Sequence, residues 1–189
     1  MNINSIKQSI KQYEAYQKKM SGLHHSFGLV RKNSKHVIAL LRRDHIKEAN
    51  SKIKEVESLI KKCLQDAGSI VTLGSEGFYR EAIEEYVEAK IYQAFVTNKA
   101  LAFPKYLKLS HWDMLGGWSD FTGELVRRAI SLAHEKDISE IRQLKEVTEK
   151  VVELFSQVSF SGKLRNKYDA TERNLKRLEE ILYELQLRK

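Results

Sequence analysis

Ser75-Glu76-Gly77-Phe78-Tyr79-Arg80-Glu81-Ala82-Ile83-Glu84-Glu85-Tyr86-Val87-Glu88-Ala89-Lys90-Ile91-Tyr92-Gln93-Ala94-Phe95-Val96 is the stretch in which fold and chemistry are read together. On a helical wheel at about 100° per residue, Glu81, Glu85, Glu88 and Tyr92 fall on one narrow stripe, flanked by Phe95 and Val96. The rest of the wheel is largely apolar, through Phe78, Ala82, Ile83, Tyr86, Val87, Ile91 and Ala94. A helix that is apolar almost all round is buried. Its acid stripe must then face solvent, a cavity or a cation. The spacing predicts a helix over 75–98.

Outward from this stretch the same periodicity recurs. Leu23, Phe27, Val30, Ser34, Val37 and Leu41 alternate steps of three and four. So do Ile141, Leu144, Thr148, Val151, Phe155 and Val158, and Leu164, Tyr168, Thr171, Leu175, Leu178, Leu182 and Leu185. Asp137, with Glu140 three residues on, is the capped start of one such run. Helices are expected over 3–43, 45–66, 75–98, 111–134, 138–157 and 162–187. Breaks fall at Gly68 to Gly74, at Phe103-Pro104 to Ser110, near Lys136-Asp137 and near Ser161-Gly162. Pro104 is the single proline of 189 residues, and proline is the residue that most disrupts helices. No strand pattern or sequence repeat is found. The chain reads as one all-α domain over 1–189. The stripes over Leu23–Leu41 and Leu164–Leu185 offer more apolar face than a small bundle hides, which points to an oligomer.

The segment 111–134 carries a second acid stripe. Met114, Leu115, Trp118, Phe121, Leu125, Ala129 and Leu132 make its apolar face, and Asp113, Asp120 and Glu124 lie opposite, with Arg127 and Arg128 on either side. Ser110 and Asp113 have capping-box spacing, so Asp113 reads as a cap. Gly116, Gly117 and Gly123 border the stripe. Each costs about 0.8–1.0 kcal/mol relative to alanine in a helix, so a neighbouring helix or a ligand must approach that backbone closely. If Glu85/Glu88 and Asp120/Glu124 face each other, four carboxylates converge and repel unless a cation offsets them. Hard oxygen donors suit Mg²⁺ or Mn²⁺. From spacing alone, a solvated acidic face is the simpler account.

The formal charge is +8 and hydrophobic residues make up 42% of the chain. A basic balance attracts polyanions without naming one. Arg31, Lys32, Lys35, Arg42, Arg43 and Lys47 cluster, with Arg31, Lys35 and Arg42 on one side of the first helix. They are candidate phosphate contacts or a solvated face. The lone Cys63 excludes an internal disulfide and reads as a packing residue. No apolar run suits a membrane span, and Met1-Asn2-Ile3-Asn4 does not open a signal peptide, so a cytoplasmic protein is expected. The histidines lack zinc spacing, and no phosphate-binding glycine loop or nucleophile elbow occurs.

Glu84-Glu85-Tyr86-Val87-Glu88-Ala89 and Asp120-Phe121-Thr122-Gly123-Glu124-Leu125 closely resemble two signature stretches of the translin-associated factor X family. Leu164-Arg165-Asn166-Lys167-Tyr168-Asp169 is similar to the last helix of the wider translin family, and Val30 to Arg43 to its first. The resemblance spans most of the chain, with a shorter middle loop than eukaryotic members, which implies a compact, archaeal-type homologue. It implies a seven-helix bundle assembling into a hollow octamer, with Mg²⁺-dependent cleavage of RNA inside the chamber. The family's catalytic and metal-binding carboxylates fall on Glu85, Glu88, Asp120 and Glu124. Translin itself lacks this set, so the match favours an endoribonuclease over a pure binder of RNA or single-stranded DNA. Glu85, Glu88 and Asp120 are expected to hold the metal, and Glu124 to complete the shell or move a proton. Arg31, Lys35, Arg42, Arg127 and Arg128 are the expected RNA contacts. Whether the chain acts alone or with a translin-type partner stays open. Gly116-Gly117-Trp118 departs from the family pattern and puts an indole at the chamber wall.

Overall fold

A computed structural model describes residues 3–68, 70–135 and 137–187. The reading of the N-terminus at Met1 and Asn2, and the parts of the expected breaks at Ser69 and Lys136, lie outside them. The elements in order are α1 (Ile3–Arg42), α2 (Ile46–Ala67), a short 3-10 helix (Val71–Ser75), α3 (Gly77–Thr97), α4 (His111–Glu135), α5 (Ile138–Ser156) and α6 (Gly162–Leu187). No strand occurs among the described residues. The protein is all-α, and the described residues form six α-helices and one short 3-10 turn where the resemblance implies seven helices.

The helices pack as two groups of three. α1 lies against α2 and α3, while α4 lies against α5 and α6. The α3–α4 contact joins the groups, so the two acid-bearing helices form the central seam. α3 sits there because it is apolar on nearly every side, burying Ala82, Ile83, Tyr86, Val87, Ala89, Ile91 and Tyr92. Close approach of α4 is permitted by Gly117. A Cβ there would lie 2.6 Å from Val87 Cγ1 and 3.1 Å from the Glu88 backbone nitrogen. The backbone that approaches this glycine is therefore a neighbouring helix.

Helix ends follow local chemistry. Asp137 accepts from the Glu140 backbone N–H at 3.0 Å and caps α5. Asp113 Oδ2 accepts from the Ser110 N–H at 2.8 Å, and Ser110 Oγ accepts in return from the Asp113 N–H, so Asp113 is a cap and not a ligand. α3 ends at Asn98, whose φ of 50° is the left-handed stop of a helix. The segment between α3 and α4 is pinned by Tyr106, whose hydroxyl donates to the Glu57 carbonyl at 2.7 Å.

The apolar surplus lies elsewhere than its sequence suggests. Leu23, Phe27, Val30, Val37 and Leu41 are buried within the protomer against α2 and α3, so that stripe is not a free interface. The exposed apolar stripe of α1 is its first half, Ile3, Ile6, Ile10, Tyr13 and Tyr16. On α6 Leu164, Thr171 and Leu178 take the core as expected, joined by Ile181, with Leu182 partly buried beside it. Cys63 is buried, and burial pushes its thiol upward, which suits a packing role. No helix among the described residues is long and apolar enough to cross a membrane.

Candidate functional site

Glu85, Glu88, Asp120 and Glu124 all line one cleft of about 310 Å³. Lys35 of α1, Ser119, Gly123 and Arg127 of α4, and Ala170 and Asn174 of α6 complete its wall. Glu85 and Glu88 project together because they are three residues apart on α3, and Asp120 and Glu124 because they are four apart on α4. The seam between α3 and α4 brings the two pairs face to face.

Cations ring these acids. Arg42 Nη1 donates to Glu124 Oε2 at 3.1 Å, and Arg127 Nη1 to Glu124 Oε1 at 2.6 Å. Lys35 Nζ stands 3.5 Å from Glu85 Oε2, and Arg31 Nε 3.9 Å from the same oxygen. Arg31 points mainly at Glu81, outside the cleft, at 2.6 Å. Lys167 Nζ touches both oxygens of Asp120, at 2.6 and 2.5 Å. Glu88 alone of the four has no ion pair among the described residues, although it is only 6% exposed.

Electrostatics follow from that difference. Burial, then Glu85, Asp120 and Glu124 in turn, push the Glu88 carboxyl up to about 9. Burial also raises Glu85, with Lys35 and Arg31 opposing and Asp120 adding to the rise. Burial works the same way on Glu84, but Lys163 and Lys167 outweigh it and hold that carboxyl below its ordinary range.

Among the described residues no three His, Cys, Asp or Glu side chains are gathered so as to grip a metal ion as they stand. Glu85, Asp120 and Glu124 are each ion-paired with a cation instead. The donor set itself fits a hard divalent cation: four carboxylates on one cleft, one of them buried and uncompensated. The residues able to hold such an ion are Glu85, Glu88, Asp120 and Glu124.

Of the five expected RNA contacts, Lys35 and Arg127 line the cleft, and Arg42 and Arg31 reach its acids from α1. Arg128 does not belong to it. Its half-buried guanidinium lies between Asp44, at 2.9 Å, and Glu140, at 2.5 Å, one turn along α4. Trp118 also leaves the cleft: its ring meets Phe121 edge-on at 5.8 Å and borders an apolar groove with Val151, Leu154 and Phe155.

Two residues escape the sequence reading. Glu84 stands beside the signature pair, yet its wheel position points toward α6. Lys167 lies in the quoted C-terminal run as an ordinary helix-start lysine. The available signal was Gly116, where a Cβ would meet the Glu84 carboxyl carbon at 2.6 Å.

Solved structures with this architecture exist. The chain is similar to apo-NeC3PO, with a TM-score of 0.83 and 20% identity over 97% of both chains. It is similar to AfC3PO, with a TM-score of 0.77 and 22% identity over 100% of this chain and 99% of that one. It is similar also to AfC3PO in its duplex RNA complex, with a TM-score of 0.77 and 21% identity over 100% and 98%. No curated protein sequence matches the chain. The fold is thus the helical fold of these C3PO structures. The family model for Translin matches residues 3–189, and the chain belongs to the Translin family.

Proposed function

We propose that this chain is a divalent-cation-dependent endoribonuclease, using Mg²⁺ or in its place Mn²⁺, that works as a homo-oligomer. The observation that carries the reading is the cleft of Glu85, Glu88, Asp120 and Glu124, with Glu88 buried among acids and lacking a cation of its own. A buried carboxyl crowded by three other acids, and kept from ionising by them instead of being matched by a cation of its own, marks a site kept for a ligand. A divalent ion bound there would activate water and neutralise charge on a phosphodiester. Glu85, Glu88 and Asp120 would hold it. Glu124, already fixed by Arg42 and Arg127, would complete the shell or accept a proton at its carboxylate.

RNA is the proposed substrate because the chain shares its fold with AfC3PO, a protein solved with duplex RNA. Lys35 and Arg127 are both more than half exposed at the mouth of the cleft, with side chains 56% and 65% accessible, so phosphates meet them first. Such contacts carry no sequence preference. The stripe Ile3, Ile6, Ile10, Tyr13 and Tyr16 supports assembly with further copies, and an octamer is the expected form. A second reading, a non-catalytic binder of RNA or single-stranded DNA, draws on the cations already seated on three of the four acids.

Incubation of the nuclease-free protein with end-labelled single-stranded RNA separates the two. Internal cleavage in Mg²⁺ that stops with EDTA is expected. Binding without cleavage in either condition overturns the enzyme and leaves the binder.

A further inference from the structure

Lys167 stands where three helices meet. Its Nζ contacts both oxygens of Asp120 on α4 and, at 2.5 Å, Oε1 of Glu84 on α3. The other Glu84 oxygen accepts from Lys163 Nζ at 2.7 Å. The arrangement is built on both sides. Gly116 leaves the space that Glu84 occupies. On α6, the Lys167 carbonyl accepts from Ser119 Oγ at 2.8 Å and Thr171 Oγ1 at 2.9 Å, and these hydroxyls are themselves hydrogen-bonded. The turn that carries Lys167 is therefore fixed against α4.

An ammonium seated on both oxygens of one carboxylate occupies the edge by which that group chelates a cation. It also places a positive charge within a few ångströms of any ion that Asp120 would bind, where the protein surroundings screen it less than water does. Glu84 offers the lysine a second partner of equal closeness. We propose that Lys167 is the resident counter-ion of the cleft: it holds Asp120 in the cation-free protein and yields it to a divalent cation, and Glu84 anchors the lysine throughout. Neither residue is a ligand. The inference rests on the reading of the carboxylate quartet as a divalent-cation site. It adds to that reading a device that sets the cation affinity and keeps the acid cleft folded without metal.

The test is calorimetric titration of Mn²⁺ into the full-length, EDTA-stripped protein at fixed pH and salt, with a thermal melt of the same samples. Lys167→Met is expected to bind Mn²⁺ at least about tenfold more tightly than the wild type, since a nearby positive charge is gone. Its stripped form is expected to melt at a lower temperature, because Asp120 and Glu84 lose their shared partner. Lys167→Gln, which keeps a hydrogen-bond donor without charge, carries the same affinity expectation and covers a methionine variant that fails to fold. Glu84→Gln is expected to weaken Mn²⁺ binding, because Lys167 then rests on Asp120 alone. In the Lys167→Met background the same change is expected to alter affinity less than about twofold, as the residues act through one another.

Unchanged or weaker Mn²⁺ binding by Lys167→Met and Lys167→Gln overturns the counter-ion role while the cation site stands. A Glu84→Gln loss as large without Lys167 as with it makes Glu84 a ligand and overturns the anchor. No Mn²⁺ uptake by the wild type overturns the cation site, and this proposal with it.

Discussion

Glu124 and Arg128 stand four residues apart on α4 and belong to two charge clusters of opposite character. Around Arg128 the charges close on each other. Asp44, in the turn after α1, and Glu140, in the first turn of α5, both bond one guanidinium, at 2.9 and 2.5 Å. Burial alone would lower the Arg128 pKa, but its hydrogen bonds to Asp44 and Glu140 raise it on balance, so its charge is permanent. This cluster ties α1, α4 and α5 together and leaves no acid without a partner. Around Glu124 the charges do not close. Glu85, Asp120 and Glu124 each share a cation, yet Glu88 sits among them with none. A bundle that can match Arg128 so fully keeps Glu88 unmatched at a cost in stability, and a ligand is the simplest reason for keeping it.

The largest difference expected between the clusters is in cleavage. Asp120→Asn or Glu88→Gln is expected to lower Mg²⁺-dependent RNA cleavage at least about 100-fold, as loss of a charged group that stabilises a transition state does. Arg128→Met should keep cleavage near wild type per folded molecule. Single-turnover rates on labelled RNA measure both. Equal losses from all three variants would erase the distinction drawn here.

Stability against pH comes next. Glu88 is pushed to about 9 in the folded protein, whereas an unfolded glutamate titrates near about 4.3. Between those values the folded protein holds a proton that the unfolded chain has lost. The stability of the metal-free protein therefore falls as pH rises through this window and levels off above it. Glu88→Gln removes the Glu88 share of this slope and so flattens it. It should be more stable than wild type at pH 8, on the order of 1–3 kcal/mol, and nearly equal at pH 4. Urea unfolding in EDTA gives the comparison, and parallel pH profiles would contradict the raised Glu88.

Arg128→Met should be destabilising by about 1–2 kcal/mol, because it strands Glu140 and Asp44, the latter largely exposed. The loss should not change with added Mg²⁺. The smallest effect is on salt dependence. Lys35→Ala and Arg127→Ala should each lower the slope of log affinity for single-stranded RNA against log salt by about 0.7, one phosphate contact apiece. Arg128→Met should leave that slope alone. A slope reduced equally by Arg128→Met would return this residue to the RNA path.

Much of this was legible in the residues. The helix over 75–98 was expected because both its apolar surround and its acid stripe are local patterns, and α3 spans Gly77–Thr97. The caps at Asp137 and Asp113 were readable because a cap bonds a residue three positions away. Gly116 and Gly117 announced a close approach, although not by what. The gathering of Glu85, Glu88, Asp120 and Glu124 in one cleft came from the family resemblance, since spacing alone allowed a solvated face. What stayed hidden depends on which helix lies beside which. Lys167 meets Asp120 across 47 positions and Glu84 across 83, and no local pattern encodes such pairings. Arg128 and Arg127 are neighbours in sequence, but about 100° of helix turn sends them to different partners. The stripe over Leu23–Leu41 was read as interface because periodicity shows that a face is buried, not whether its own chain or another copy buries it.

Glu85, Glu88, Asp120 and Glu124 are proposed to bind a divalent cation. Crystals of the full-length protein soaked in Mn²⁺, with data collected near the manganese absorption edge, test it directly. An anomalous peak is expected in the cleft between α3 and α4, within coordination distance of these carboxylates, and it should disappear in Asp120→Asn. A map with no peak there, or with manganese bound only at other carboxylates, would contradict it.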